Sequence, residues 1–219
     1  MIPIENIAAV IDNTEVSPLR TEDQMVEFLE SSRDSGFGGV CILPIWVRLA
    51  SNVLKGSSTT IAMVAGLHGE TISMQVGAIR EGAAMGADGF DVLIALHAVK
   101  VGNWDKVREV TGAVVAAAEG LPVKMILETG CLTEDEIKQA SQICLEEGAA
   151  YIKTSTGMYS GGATIEAVRL MRAVVGDRIG VKASGGIRTY QDVMMMLNAG
   201  ASRIGTSTGW QILDGAREL

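Results

Sequence analysis

Short apolar runs alternate along the chain with longer segments in which apolar residues recur at helical spacing. The runs rich in β-branched residues are predicted as strands, at residues 7–12, 39–43, 60–65, 90–96, 123–128, 150–153, 179–182 and 203–205. A predicted helix follows each of them, at residues 21–35, 44–54, 71–85, 104–119, from 133 onwards, 164–175, 190–199 and 210–219. Strict alternation of short strands and helices indicates βα units and a parallel sheet.

Eight βα units are what closure of a parallel barrel needs, so the predicted fold is a single (β/α)8 TIM barrel in one domain over residues 1–219. A weak internal repeat supports the barrel: a glycine starts each copy, and the sixth residue falls in or at the end of the next strand. The copies are Gly36–Cys41, Gly86–Asp91, Gly148–Lys153 and Gly200–Gly205. The alternative is a doubly wound open sheet, which is disfavoured because no Gly-x-Gly-x-x-Gly follows the first strand.

Composition narrows the class of protein and of partner. The chain has 219 residues, a formal net charge of -8 and 47% hydrophobic residues, enough for one sizeable core. The acidic balance argues against nucleic-acid and membrane partners. No basic segment precedes an apolar one at the N-terminus and no apolar run approaches the roughly 20 residues of a membrane span, so a cytoplasmic protein is expected.

Cysteines and histidines are too few and too scattered for a metal centre. Three cysteines without a Cys-x-x-Cys pair suggest neither a disulfide framework nor a zinc site, and Cys41 and Cys144 fit small core positions. With only two histidines in the chain, we expect no metal and no cofactor.

Two lysines stand where a buried strand ends. Lys153 and Lys182 each close a short apolar run and are followed at once by small hydroxyl residues and glycine. An ammonium buried without a partner costs several kcal/mol, so this placement calls for an explanation. Asp12 and Asp91 fall at the same end of the predicted barrel or one layer below. The four groups form either a structural ion-pair network or a reactive centre.

The chemical hypothesis is covalent amine catalysis. A neutral lysine can attack a carbonyl and form a Schiff base, whose nitrogen withdraws electrons while a carbon–carbon bond breaks. An unperturbed lysine, with a pKa near 10.4, is neutral in only about one molecule in 2,500 at pH 7. A second ammonium about 4 Å away disfavours the charged form by roughly 4 kcal/mol at an effective dielectric near 20. A second lysine nearby therefore favours the neutral, nucleophilic form of the first, and a nearby aspartate can transfer protons.

Glycines and hydroxyl residues cluster after the last three predicted strands, at residues 157–164, 184–188 and 205–209. Loops in these positions form the phosphate site of many barrels, because exposed backbone N–H groups converge there. The predicted substrate contacts are Thr154, Gly157, Gly185, Gly186, Arg188, Gly205 and Ser207. A phosphorylated carbonyl substrate is implied.

These segments resemble the deoxyribose-phosphate aldolase family over nearly the whole chain. The resemblance is strongest at residues 153–157 with 161–164, at residues 181–189 and at residues 203–207. It implies that Lys153 is the Schiff-base nucleophile, Lys182 the lysine that perturbs it, and Asp91 the proton relay, with Asp12 orienting the lysines and water. The implied reaction is the metal-free, reversible cleavage of 2-deoxyribose 5-phosphate to glyceraldehyde 3-phosphate and acetaldehyde. A homo-oligomer is expected.

Several positions depart from the family pattern around the barrel mouth. They are Asn13, Leu43, Gly66, Leu67, Gln75 and Ala78, and the chain also ends without a tyrosine-bearing tail. None of them removes the lysine pair, but they leave two alternatives open. One is a related Schiff-base aldolase acting on another phosphorylated sugar, and the other is a non-catalytic phosphosugar-binding barrel. A metal-dependent aldolase is disfavoured by the scarcity of histidine.

Overall fold

The strands of the protein close into a parallel barrel. The computed structural model describes residues 7–159 and 161–217. Each strand pairs with the next, and β8 pairs with β1. The strands are β1 Ile11–Glu15, β2 Gly39–Ile42, β3 Thr60–Ala65, β4 Gly89–Leu93, β5 Val123–Ile126, β6 Tyr151–Lys153, β7 Gly180–Ser184 and β8 Arg203–Thr206. The predicted (β/α)8 fold is confirmed.

Helices connect the strands and surround the barrel. They are α1 Glu22–Asp34, α2 Val47–Val53, α3 Ile72–Met85, α4 Leu96–Lys100, α5 Trp104–Ala117, α6 Glu134–Glu146, α7 Ile165–Val175, α8 Tyr190–Ala199 and α9 Gly209–Arg217. Capping boxes at Thr21, Thr133 and Thr189 fix the starts of α1, α6 and α8 by satisfying backbone N–H groups that a helix leaves free. Among the described helices, none is long and apolar enough to cross a membrane.

Several predicted strand boundaries were wrong: the strand predicted at 123–128 ends at Ile126, for example, and the first strand continues to Glu15. Two further errors have the same physical reason. The strand predicted at 7–12 begins only at Ile11, after a short 3-10 helix at Ala8–Val10, and the strand predicted at 90–96 ends at Leu93. Ile7 and Ile94 lie outside the strands but are 1% and 2% exposed. An apolar run reports burial, and it does not distinguish a strand from a buried turn beside it. Residues 218–219 of the last predicted helix lie outside the described residues.

The main hydrophobic core lies between the barrel and its helices, whereas polar groups occupy much of the interior of the barrel. A small cluster of Cys41, Ala62 and Val64 fills part of that interior. The sixth residues of the predicted repeat copies face inwards, as the contact of Cys41 Sγ with Asp91 Oδ2 at 3.6 Å illustrates. Strand side chains alternate between faces, so a shared register position places residues of different strands in one interior layer.

Two glycines of α3 give opposite expectations for substitution by alanine. A Cβ at Gly77 would meet no heavy atom within 4 Å, whereas a Cβ at Gly82 would lie 2.6 Å from Met63 Sδ and 3.0 Å from Phe90 Cε1. Gly77→Ala should raise the free energy of unfolding by about 0.5–1 kcal/mol, because alanine loses less backbone entropy in a helix.

Gly82→Ala should lower the free energy of unfolding, since overpacking against the buried Met63 and Phe90 costs about 1–3 kcal/mol and outweighs the gain in helix propensity. Urea denaturation of both variants measures the difference. A Gly82→Ala protein as stable as Gly77→Ala would contradict the packing described for this helix.

Candidate active site

One carboxylate oxygen joins the two predicted lysines. Lys153 Nζ lies 2.9 Å from Asp91 Oδ2, and Lys182 Nζ lies 2.7 Å from the same atom. Lys153 is 4% exposed, and Asp91 and Lys182 are fully buried. The register explains the contact, because Lys153 pairs directly with Lys182 across β6 and β7 and both point into the barrel. The structure therefore brings the predicted lysine pair and its predicted aspartate together.

Asp12 extends the cluster on the far side of Lys182. Its Oδ2 lies 2.5 Å from Lys182 Nζ, and its Oδ1 accepts hydrogen bonds from Nε and Nη2 of Arg203 at 2.9 and 2.6 Å. Lys182 thus contacts two carboxylates, whereas Lys153 contacts one oxygen that it shares. Lys182 therefore has more compensating negative charge around its ammonium group than Lys153 has.

A third lysine belongs to the cluster, and the sequence prediction missed it. Lys124 pairs with Asp91 across β4 and β5, and its Nζ lies 3.3 Å from Asp91 Oδ1. The residue is 8% exposed. The signal was present in the sequence, since Lys124 interrupts an apolar strand between Val123 and Met125. With Lys124 and Arg203 included, four cationic side chains surround two carboxylates, so positive charges outnumber negative ones in the cluster.

The charges shift the pKa values of the buried groups in opposite directions. Burial alone would raise the pKa of Asp12, but Lys182, Lys124 and Arg203 outweigh it and lower this pKa to about 2. For Asp91, burial is likewise outweighed by Lys153, Lys182 and Lys124, which hold the pKa of its carboxyl well below the ordinary range. Burial would lower the pKa of Lys182, but Asp12 and Asp91 raise it above the ordinary value. Both carboxylates and Lys182 are therefore charged at neutral pH.

A cavity of about 310 Å³ opens at the C-terminal ends of the strands. Its lining comprises residues 14–17, 156–157, 184–188 and 205–208. Thr14 and Ser184 follow Asp12 and Lys182 by two positions on their strands, so the cavity lies one layer of side chains above the charged cluster. In (β/α)8 barrels this end carries the active site.

Six of the predicted substrate contacts line this cavity, namely Gly157, Gly185, Gly186, Arg188, Gly205 and Ser207. Thr154 does not, because it is fully buried and its hydroxyl donates to the Ser184 carbonyl and accepts from the Ser184 N–H. Residue 160 of the predicted loop lies outside the described residues. Glu15, which was not predicted, also lines the cavity and contacts Arg20 at 2.6 Å.

The loops that form the cavity wall pack backbone against backbone. A Cβ on Gly162 would lie 2.5 Å from the Gly185 carbonyl oxygen, so only glycine fits at this approach. Asp192 accepts hydrogen bonds from the N–H groups of Arg188 and Thr189, and these two amides are thereby already occupied. The amides of Gly185 and Gly186 carry no such side-chain cap among the described contacts.

Cys41 and Cys144 are buried, as the sequence analysis expected. Burial, and for Cys41 also the charge of Asp91, raises the pKa of these thiols to about 11 and about 12 respectively. Both thiols are therefore protonated at neutral pH. Within the described ranges, no group of three or more histidine, cysteine or acidic side chains could hold a metal ion.

A closed parallel barrel with amines buried beneath a cavity at its C-terminal end defines an enzyme of the (β/α)8 class whose candidate reactive groups are lysines. Comparison with known proteins makes the assignment specific. Residues 7–215 match the DeoC/LacD family of aldolases. The chain belongs to this family, and it is a carbon–carbon lyase.

Similarity to individual relatives extends over nearly the whole chain. A deoxyribose-phosphate aldolase of Streptococcus suis is 44% identical over 94% of this chain and 95% of its own length. A Coccidioides immitis structure, described provisionally as a deoxyribose-phosphate aldolase, is 34% identical with a TM-score of 0.96 over 99% of this chain and 87% of its own. A tetrameric deoxyribose phosphate aldolase from Aeropyrum pernix is 27% identical with a TM-score of 0.91, covering 98% and 92% of the two chains.

The lowered pKa of Asp12 predicts how stability falls in acid. Because the folded-state pKa of about 2 lies below the ordinary 3.8, ionised Asp12 stabilises the fold above about pH 4, and this contribution is lost as the pH falls towards 2. The loss should amount to about 2 kcal/mol from this group.

Asp12→Asn removes the titration, so its free energy of unfolding should depend less on pH between about pH 4 and 2 than that of the wild type. Urea denaturation at several pH values in this range measures both slopes. Identical slopes would show that Asp12 is not held in its ionised form by the cluster.

Proposed function

We propose that the protein reversibly cleaves 2-deoxyribose 5-phosphate to glyceraldehyde 3-phosphate and acetaldehyde through a Schiff base on Lys153. The observation that carries the proposal is the shared contact of Lys153 and Lys182 with Asp91 beneath the cavity. The names of the similar proteins support the substrate, since relatives matching nearly the whole chain are deoxyribose-phosphate aldolases.

The contacts favour Lys153 over Lys182 as the nucleophile. Lys182 is held by Asp12 and Asp91 together and has a raised pKa, so it remains an ammonium. Lys153 has only the shared oxygen of Asp91 and is repelled by the neighbouring ammonium groups. Of the lysine pair, Lys153 therefore has less compensating negative charge around its amine than Lys182. Lys153 is also the last residue of β6 and is 4% exposed, whereas Lys182 lies within β7 and is fully buried.

The reaction follows from an amine at this position. The neutral Lys153 amine attacks the aldehyde carbon of the sugar, and the resulting carbinolamine loses water to give a protonated imine. A base removes the proton of the hydroxyl on the third carbon, the bond between the second and third carbons breaks, and its electron pair moves to the imine nitrogen. Glyceraldehyde 3-phosphate leaves. Protonation of the enamine carbon and hydrolysis of the imine release acetaldehyde and restore the amine.

Asp91 is the proposed proton relay. Its pKa lies well below the ordinary range, so it is an ionised acceptor rather than a store of protons in the free protein. We propose that it accepts protons through a water molecule and passes them on during carbinolamine breakdown and enamine protonation. Asp12 keeps Lys182 oriented and charged through their short contact.

The proposed phosphate site is the cavity of about 310 Å³ at the C-terminal ends of the strands, which we call the upper cavity. Backbone N–H groups of Gly185 and Gly186, with the Arg188 guanidinium, supply donors and positive charge for an anion. A phosphate there leaves the aldehyde end of the sugar directed towards the lysines one layer below. The glycines allow the backbone to approach the ligand closely.

A related Schiff-base aldolase acting on another phosphorylated sugar is the second candidate. A further cavity of about 240 Å³ lies at the ends of β3 and β4 and is lined by Gly66, His68 and Gln75 among others. Two of these residues depart from the family pattern. Initial rates with a panel of phosphorylated deoxy and keto sugars would distinguish the candidates, and faster cleavage of a different sugar would replace the first one. Binding without turnover of any sugar would instead favour a non-catalytic barrel.

We also propose a homo-oligomeric state. Its support is the tetramer described for the Aeropyrum pernix relative, which has the same fold at 27% identity. Light scattering coupled to size-exclusion chromatography gives the mass directly. A mass equal to one chain of 23.0 kDa across a wide concentration range would contradict the proposal.

Replacement of the nucleophile should abolish turnover without unfolding the protein. Lys153→Ala is expected to lower kcat for 2-deoxyribose 5-phosphate cleavage by at least about 10³-fold, because the proposed nucleophile is lost and the neighbouring Lys182 remains an ammonium. A coupled assay for glyceraldehyde 3-phosphate measures the rate, and thermal unfolding tests the fold.

The matched control is Lys100→Ala, which removes an exposed lysine that contacts Glu136 at 2.9 Å. Its kcat should stay within about twofold of the wild type, as is usual for exposed ion pairs away from the site. A Lys153→Ala protein that folds and retains wild-type turnover would disprove the assigned nucleophile.

A further inference from the structure

Glu128 has an unusual backbone and an unusual environment for a glutamate. It follows β5 with a φ of 57°, in the left-handed region that residues other than glycine rarely adopt. Its side chain is fully buried. A conformation of this kind persists only where surrounding contacts enforce it, and such residues concentrate at functional sites.

The backbone ladder shows what enforces the conformation. The N–H of Leu127 donates to the Lys153 carbonyl, and the N–H of Thr129 donates to the Thr154 carbonyl, both at 2.9 Å. Between these two hydrogen bonds the chain moves forward by two residues after β5, from Leu127 to Thr129, but by only one residue after β6, from Lys153 to Thr154. Glu128 is therefore the extra residue of a bulge beside the end of β6, and bulges redirect a side chain at the rims of barrels.

The Glu128 side chain is hydrogen-bonded to a loop that forms part of the cavity wall. Glu128 Oε2 accepts a hydrogen bond from the Thr156 N–H at 2.9 Å, and Thr156 and Gly157 line the upper cavity. Glu128 Oε1 has no hydrogen-bond partner within the described part of the chain. A buried carboxyl group with half of its acceptors unused is costly, so apolar packing would serve stability better at this position.

We propose that Glu128 is a positioning residue that holds Thr156 and Gly157 in place in the wall of the upper cavity. The inference rests on the proposed aldolase function. Glu128 acts through the loop and not on the reacting atoms, since the carboxyl group contacts the Thr156 amide and not a lysine of the cluster.

Separate contacts hold Lys153 itself, which makes the proposal selective. The Thr154 N–H donates to the Lys182 carbonyl at 3.0 Å, and the Thr154 hydroxyl is bonded to Ser184. Loss of the Glu128 carboxyl group should therefore release the loop at residues 156–157 and leave the amine in place. Binding of the phosphorylated sugar should suffer, whereas chemistry on an aldehyde that lacks phosphate should not.

The test compares Glu128→Ala on two substrates. For 2-deoxyribose 5-phosphate, kcat/KM should fall about tenfold or more, chiefly through a higher KM. The rate at which acetaldehyde methyl protons exchange with solvent deuterium, followed by NMR, should stay within about twofold of the wild type. Glu128→Gln keeps an acceptor for the Thr156 N–H, and its kcat/KM should recover to within about threefold of the wild type.

Glu119→Ala is the matched control, because Glu119 also has a left-handed φ, of 48°, but is exposed and follows α5 at the other end of the barrel. It should leave both rates unchanged. Equal losses of both rates in Glu128→Ala, or no loss in either, would overturn the inference while the aldolase assignment stands. A wild-type protein inactive in both assays would overturn the proposed function and this inference together.

Discussion

The sharing of one Asp91 oxygen by Lys153 and Lys182 is the interaction on which the rest of the site depends. Three strands must be in the correct register for this contact to form, and the closed barrel imposes that register. Removing one partner of a buried ion pair typically costs about 3–5 kcal/mol, because the other charge is left uncompensated. The cluster is thus costly to disturb, and it links stability of the barrel interior to its chemistry.

An excess of positive charge argues that the cluster is retained for chemistry. A network selected for stability would balance its charges or give way to apolar side chains of similar volume. Here Lys124 and Arg203 add to the lysine pair, and only Asp12 and Asp91 oppose them. Asp12 and Asp91 hold Lys182 as a fixed cation, and the remaining repulsion falls on Lys153. We propose that this uneven compensation divides the lysines into one charged neighbour and one nucleophile.

The sequence was sufficient for the fold and for the residues at strand ends, because both follow from patterns along the chain. Alternating apolar runs and helical periods predicted the barrel, and lysines after apolar runs identified Lys153 and Lys182. The family assignment was likewise available from the motifs around these lysines. The strand limits near Ile7 and Ile94 could not be predicted in this way, since buried residues outside a strand give the same apolar pattern.

Contacts that depend on register and backbone conformation were beyond sequence reasoning. Lys124 was missed although it breaks an apolar strand, because only the pairing with β4 places it against Asp91. The hydroxyl of Thr154 was expected at the ligand, but the close approach of β7 directs it to Ser184. The role inferred for Glu128 depends on a bulge that no local sequence motif predicts. Distances between side chains of different strands follow from closure of the barrel, and no single segment contains that information.

The most direct test of the account is to find which amine forms the covalent bond. Acetaldehyde and borohydride are added to the protein, and peptide mass spectrometry locates the reduced adduct. The account predicts an ethyl group on Lys153, and no adduct on Lys124 or Lys182 at comparable occupancy. Modification of Lys182 in place of Lys153 would contradict the division of roles between the two lysines, and a protein without any buried adduct would contradict the Schiff-base mechanism itself.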